Sequence, residues 1–354
     1  MSSRAPTPPP LGSQPGALTG HDVARAAGLS QSTVSRALRG DPRVAQSTRE
    51  HVLAVAHELG YVPSALGRNL SSRTTRTIGM VVTDISNPYY PNLIAPLHDE
   101  LAALDYRMVL LTERLPADGD AAQGLAGLID RGIDGAVLTT STLDGDVPRQ
   151  LAGWGLPFVF LTREVDGAVG DAAVVDNALG ASLIAAEVAR MGHRRIGAIF
   201  GPPDTSTGRD RERGFRAGLA AAGIELAEED VRRGGFVVEA GHAAMVELMA
   251  LKDRPTAVAC FNDLVAIGAL NAAREQGLSV PGDVSITGWD DLPMAAWEIC
   301  RLTTVHQPMG EMARAAARLL VERIEGVASG PPRRVVFEPR LVLRATLGPP
   351  PHGA

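Results

Sequence analysis

Cysteine is nearly missing from this 354-residue chain: only Cys260 and Cys300 occur. Two cysteines in apolar surroundings supply neither a disulfide framework nor the CxxC spacing of a metal knuckle, so they read as small buried hydrophobes. Long apolar runs are missing as well; none reaches the roughly 18 residues that span a bilayer. The opening MSSRAPTPPPLGSQPGALTG lacks the apolar segment of a secretory signal. The expectation is a cytoplasmic protein without a membrane partner. Lysine is absent apart from Lys252, so arginine carries nearly all the positive charge. No GxGxxG follows a strand, and there is no GxxxxGK[ST] or GxSxG. His193, in MGHRRI, has no nearby Ser or Cys partner and reads as structural. No metal or other cofactor is indicated.

The length suffices for two or three cores. The net charge of −6 argues against nucleic acid, but its distribution argues the other way. Residues 1–76 hold nine arginines against four acids, leaving an acidic remainder. A basic head on an acidic body is the asymmetry expected when only the head meets phosphate.

Residues 1–17, rich in Pro, Ser and Gly, read as a disordered tail. Three short helices then fit residues 18–62. Thr19 caps the first with Asp22 in a shortened capping box, and Val23, Ala26 and Ala27 share its inward face. Gly28 suits a left-handed helix end. Ser30 caps a second helix with Val34, Ala37 and Leu38 inward, closed by Gly40. A third runs from Gln46 to Leu59 with Val52, Leu53, Ala56 and Leu59 inward. Two helices around a tight glycine turn make a helix-turn-helix from Thr19 to Gly40. Its second helix presents Gln31, Ser32, Ser35, Arg36 and Arg39 outward, a polar face suited to base edges in the major groove.

From Arg76 onward, strands alternate with helical segments. Apolar runs at 77–82, 107–111, 135–139, 157–161, 195–200, 256–260 and 284–289 read as strands. Continuous apolar strands between amphipathic helices imply parallel sheets covered on both faces, an α/β core. The length of this region predicts two such sheets. Ligands of open α/β folds bind beyond the carboxyl ends of strands. Here those ends lead into Asp84-Ile85-Ser86-Asn87, Thr162-Arg163, Asn262-Asp263 and Trp289-Asp290-Asp291.

TGHDVARAAGLSQSTVSRALRG, REHVLAVAHELGYVPSALGRNL and TRTIGMVVTDISNPYY resemble the lactose/galactose repressor (LacI/GalR) family, as do VVDNALG, MGHRRIGAIFGP, ACFNDLVAIGAL, VPGDVSITGWDDLPMA and LTTVHQPMGEMARAAARLL. The resemblance covers about residues 18–344. It implies an all-α helix-turn-helix head (18–62), a hinge helix and linker (63–75), and a periplasmic-binding-protein-like core (76–347) of two doubly wound parallel-sheet lobes. The first lobe would comprise 76–175 and 306–332, the second 176–305 and 333–347, with crossings near Asp176, Val305 and Arg333. It also implies a homodimer; LVLRATLGPPPHGA carries no leucine heptad for a tetramerising coiled coil. The hinge would run from Pro63 to Leu70, and Leu70 would wedge into the minor groove of a pseudo-palindromic operator. Gly67 stands where alanine is usual and weakens the hinge helix. Ala45 replaces the usual serine cap, so the third helix is expected to start near Ser47.

By the same resemblance Gln31 and Ser32 read bases, and Arg36 suits a bidentate contact to guanine. Thr19, Ser30, Thr33, Ser35 and Thr48 are phosphate contacts or caps, and Arg39 adds a phosphate contact or is solvated. For the effector, expected to be a sugar or sugar derivative, Arg211, Asn262 and Asp290 match the family's diagnostic contacts. Phe236 would stack on the ring; Tyr89 and Gln307 would contribute from the other lobe, and Asp84 would accept from a hydroxyl or cap the following helix. Thr162 stands where aspartate is common, which leaves Arg163 free to favour an anionic effector. The function implied is a transcriptional regulator, in its usual mode a repressor. The rival readings, an enzyme or an extracellular solute-binding protein on the same core, lack catalytic motifs in the first case and a signal peptide in the second.

Overall fold

The computed structural model describes residues 18–38, 41–61, 74–112, 132–143, 145–167 and 170–351. The tail, Arg39, Gly40 and the hinge with Pro63, Gly67 and Leu70 lie outside the described residues. The chain divides into two compact units, one ending at Thr75 and the other beginning at Arg76.

The first unit consists of α1 (Gly20–Ala27), α2 (Gln31–Leu38) and α3 (Gln46–Glu58). The Asp22 carboxylate accepts from both the backbone N–H of Thr19 (2.9 Å) and its hydroxyl (2.7 Å), which fixes the start of α1. Gly28, at φ 65°, closes it and turns the chain toward α2. Val23, Ala24, Ala27, Val34, Ala37, Val52 and Ala56 are buried. Two expected faces are corrected. Ala26 points to solvent and Ala24 takes its place, while Leu53 is 49% exposed and Val55 packs inward instead. Val52, Val55, Ala56 and Leu59 make the i, i+3, i+4, i+7 stripe of a helix that buries one face. Without a side-chain cap at Ala45, α3 still begins at Gln46 rather than slipping to Ser47. His51 Nε2 lies 3.2 Å from the Ala27 carbonyl at the end of α1, a tie that helps hold α3 in place.

The second unit begins with β1 (Thr77–Val82), α4 (Pro91–Ala103), β2 (Arg107–Thr112), β3 (Gly135–Leu138), α5 (Asp146–Gly153), β4 (Phe158–Leu161) and β5 (Asp171–Val175). Next come α6 (Asn177–Arg190), β6 (Ile196–Phe200), α7 (Ser206–Ala221), β7 (Val231–Arg233), α8 (Val238–Met249), β8 (Ala257–Cys260), α9 (Asp263–Glu275) and β9 (Ser285–Thr287). It ends with β10 (Thr304–His306), α10 (Met309–Ile324), β11 (Arg334–Phe337) and β12 (Arg340–Val342). Two parallel sheets result: six strands in the order β11-β5-β4-β3-β1-β2, and four in the order β7-β6-β8-β9. β10 and β12 pair antiparallel on their own. The expected α/β core with two parallel sheets is therefore observed. One apolar cluster runs from Ile78 and Met80 through Ile184 of α6 to Ile196 and Phe200, so the two lobes share a core.

The crossing expected near Arg333 is corrected. β11 pairs in parallel with β5, Arg334 opposite Ala172 and Phe337 opposite Val175, so the last crossing follows Phe337. Charged neighbours hide this strand: Arg333 and Arg323 bond the buried Asp171 at the head of β5, and Arg334 forms a fork with Glu164. His193 is structural, with Nδ1 2.8 Å from Thr256 Oγ1 and Nε2 2.8 Å from the Gly348 carbonyl. Of the two cysteines, Cys260 is buried, Cys300 is only half-buried, and both are free.

In the second lobe α8 and α9 touch backbone to backbone. A Cβ on Gly241 would stand 2.0 Å from the Val265 carbonyl oxygen, and one on Gly268 2.0 Å from that of Val238. Neither helix can yield without moving its partner. Gly268→Ala should therefore destabilise the core by about 1–3 kcal/mol. This is measurable as a lower urea midpoint at unchanged m-value; an unchanged midpoint would contradict the contact.

Candidate effector and DNA sites

In the first unit, Ser30 caps α2: its Oγ accepts from the Thr33 N–H at 3.2 Å and sits 2.8 Å from Thr33 Oγ1. Thr33 is half-buried against this cap, and Thr19 is bound to Asp22. Both are thus cap residues first. Thr48 is half-buried in the first turn of α3. Gln31, Ser32, Ser35 and Arg36 are exposed together on the outer face of α2, while Val34 and Ala37 anchor its inner face. A rigid short helix with a polar outward face has the shape of a major-groove reader.

In the second unit a cavity of about 200 Å³ opens between the lobes, beyond the carboxyl ends of their strands. Asp84, Tyr89, Arg163, Arg211, Phe236, Asn262 and Asp290 all line it. Seven of the eight expected effector residues therefore meet in one place. Gln307 does not line it; it lies buried behind Asp290 and donates Nε2 to Asp290 Oδ1 at 2.5 Å. In this structure it holds Asp290 in place, and its Oε1 has no protein partner.

Each polar group is set by the local chain. Asn262 ends the β8 segment and caps α9: its Oδ1 accepts from the N–H of Leu264 (2.8 Å) and Val265 (3.2 Å), and its Nδ2 donates to Asp290 Oδ2 at 2.8 Å. Asp290 follows β9 with φ 121°, and Thr162 follows β4 with φ 75°. Such backbone is strained for residues with a side chain, and it tends to persist where surrounding structure enforces it at a functional site. Here the Asp290 N–H donates to the Val305 carbonyl at 2.9 Å. Arg211, on the second turn of α7, donates Nε to Asn177 Oδ1 (2.8 Å) and Nη1 to the Phe261 carbonyl (2.7 Å), and its guanidinium lies 4.3 Å over the Trp289 ring. No protein acceptor binds its Nη2 among the described residues. Phe200, Phe215, Phe261 and Trp289 form the aromatic base beneath it.

Burial dominates the electrostatics. It pushes the Asp290 carboxyl up to about 7, against the pull of Arg211 and the bonds from Gln307 and Asn262. The neighbouring Asp263 carboxyl is also raised, by burial and by Asp290, although Thr304 Oγ1 and the Leu292 N–H both donate to it. Burial also lowers Arg211 to about 10 and raises the Tyr89 hydroxyl. Asp84 stays on the exposed rim, its Oδ1 accepting from the Ser86 N–H and hydroxyl, which hold it below its usual range. It caps that turn, not α4. The outer end of the Phe236 ring abuts Gly201, where a Cβ would come within 2.2 Å of it.

Sequence reasoning missed Asn177, which orients Arg211, and Thr207, which lines the cavity. Thr207 was within reach, since it lies four residues before Arg211 on the same helix face. Asn177 has no such periodic signal.

The model of the family described as bacterial regulatory proteins, lacI family, matches residues 19–64, and that of a periplasmic binding protein-like domain matches residues 185–347. The HTH-type transcriptional repressor PurR of Photobacterium profundum is 33% identical over 333 residues, covering 92% of this chain and 97% of the relative. The HTH-type transcriptional regulator CelR of Thermobifida fusca is 35% identical over 330 residues, covering 91% and 96%. Among solved structures, a CelR–cellobiose complex is 34% identical, with a TM-score of 0.72 and coverage of 93% and 99%. The Lac repressor dimer bound to operator and an anti-inducer is 25% identical, with a TM-score of 0.83 and coverage of 93% and 98%. A full-length relationship of this kind, together with the helix-turn-helix and the two-lobed core, places the chain in the lacI family of bacterial regulatory proteins.

Proposed function

We propose that this protein is a cytoplasmic, non-enzymatic transcriptional repressor, acting as a homodimer on a pseudo-palindromic operator under the control of a small hydroxylated effector. The observation that carries this reading is the convergence of Arg211, Asn262 and Asp290 on one interlobe cavity in a chain that also carries an exposed helix-turn-helix face. Arginine only donates and carboxylate accepts, so the set engages several hydroxyls at once, while Phe236 offers an apolar face to a ring. The titratable groups around this cavity sit on binding residues already bonded to neighbouring side chains, and the relatives compared are transcriptional regulators. In this mechanism the effector binds two lobe arrangements with different affinity and thereby shifts the population competent for DNA.

Gel shifts against a pool of random duplexes should enrich a two-fold symmetric site whose binding weakens with salt. Arg36→Ala should lower affinity for the enriched duplex by about 10–100-fold and relax preference at one base pair per half-site. An equal loss on unrelated DNA would assign Arg36 to phosphate instead.

The effector site has a pH signature. A folded-state carboxyl raised to about 7 binds its proton more tightly than the unfolded chain does. That stabilisation is full below the ordinary value near 3.9 and lost as pH rises through 7. Binding runs the other way, because the ionised carboxylate is the stronger acceptor for hydroxyls. Calorimetry with a sugar found by thermal-shift screening should show affinity rising about tenfold from pH 6 to pH 8. Asp290→Asn should bind weakly with a flat profile, and Arg211→Ala should lose most binding at either pH; an unchanged Arg211→Ala isotherm overturns the pocket assignment.

A further inference from the structure

Among the described residues, the arginines withdrawn from solvent are otherwise matched. Arg209 pairs with Asp166 and Asp210, Arg216 and Arg233 with Glu212, and Arg323 and Arg333 with Asp171. Arg163 breaks the pattern. Its guanidinium lies 5.4 Å over the Phe236 ring in the cavity wall, and no hydrogen bond or ion pair engages it among the described residues. A guanidinium presents five donors in a planar fork, and at the half-buried Arg163 no protein acceptor meets them. Burial lowers its proton affinity, yet arginine remains charged.

The acids near it, Asp204 and Asp290, favour its charged form through space, but neither bonds it. Thr162, the buried neighbour in sequence, contributes no charge. Tyr89 and Tyr90 are uncharged phenols. Asp204 is exposed and outside the cavity lining, and Asp84 sits on the rim, bound to Ser86. Asp290, the buried acid of the site, is already held by Asn262 and Gln307. Arg211, the second cation of the wall, bonds only the neutral oxygens of Asn177 and Phe261. The cavity thus holds two guanidinium groups and lacks a carboxylate bonded to either.

We propose that the effector is a small sugar bearing one anionic group, a carboxylate or a phosphate, and that Arg163 receives that group over the face of Phe236. The inference rests on the proposed effector site and names its ligand class. A planar arginine fork bonds either anion through two parallel N–H donors. In that arrangement Arg211, Asn262 and Asp290 take the ring hydroxyls and Arg163 the charge.

The test is calorimetry on the full chain with matched sets: neutral pentoses and hexoses, their uronic and aldonic acids, and their phosphates. Each set is run at low and high salt on wild type, Arg163→Gln and Arg211→Ala. The expected result is that one acid or phosphate binds at least about tenfold more tightly than its neutral parent, and that salt weakens this advantage. Arg163→Gln should lower affinity for the anion by about 10–100-fold, at least about tenfold more than it lowers affinity for the neutral parent. The carboxylate and phosphate arms distinguish the two anions. A neutral sugar binding as tightly as its anionic forms, or Arg163→Gln weakening both alike, overturns the anionic effector. The sugar site itself still stands in that case if Arg211→Ala abolishes binding of the neutral sugar. No binding by any member of any set overturns both.

Discussion

The Asp290 carboxylate is the point on which the interlobe site hangs. Its two oxygens accept from Asn262, at the end of the β8 segment, and from Gln307, just after β10. Its own N–H is tied to Val305. Two other chain segments, those of β8 and β10, are thus fixed to one residue, and the backbone there is bent into a region that a side-chain-bearing residue rarely occupies. A buried carboxylate with two neutral donors is only partly compensated for lost hydration, which is why its proton affinity rises. The site is therefore held short of full satisfaction. An incoming polar ligand completes interactions that the protein alone leaves incomplete.

Arg211 shows the same economy from the other side. Asn177 and the Phe261 carbonyl fix its guanidinium edge-on, and Trp289 fixes it face-on. Its orientation is set before a ligand arrives, so little side-chain entropy remains to be lost on binding. The aromatic base under it is drawn from a chain that is only 4% aromatic. Packing there is tight: a Cβ on Gly180 would come within 2.4 Å of Trp289. Positional precision at Arg211 thus descends from side-chain packing two layers below the cavity.

How much of this was legible in the sequence follows from range. β1, β3, β4, β6 and β8 read directly, because strands covered on both faces are continuous apolar runs. β11 did not, because Arg333 and Arg334 flank it and their partners Asp171 and Glu164 lie more than a hundred residues away in the chain. β5 begins with that buried Asp171 and two alanines, which carry little strand preference. On α1 and α3 the helical period was evident, but Ala24 against Ala26 and Val55 against Leu53 are decided by the angle at which the helices meet. Cavity residues were legible only where a local motif placed them after a strand. Gln307 was named for the cavity, but its bond to Asp290 was not legible, because lining a cavity and bonding Asp290 differ by a few ångströms of tertiary geometry.

Arg163 and Asp290 together set how the site discriminates. The proposed ligand would meet Arg163, which no protein acceptor bonds, and Asp290, whose bonds come from neutral donors alone. A ligand meeting only one leaves the other's desolvation uncompensated. Sites with buried polar groups reject analogues lacking the matching partner far more strongly than apolar pockets reject analogues lacking a methylene. On the proposed reading, selectivity would therefore arise less from the apolar face of Phe236, which any ring can cover, than from Arg163 and Asp290.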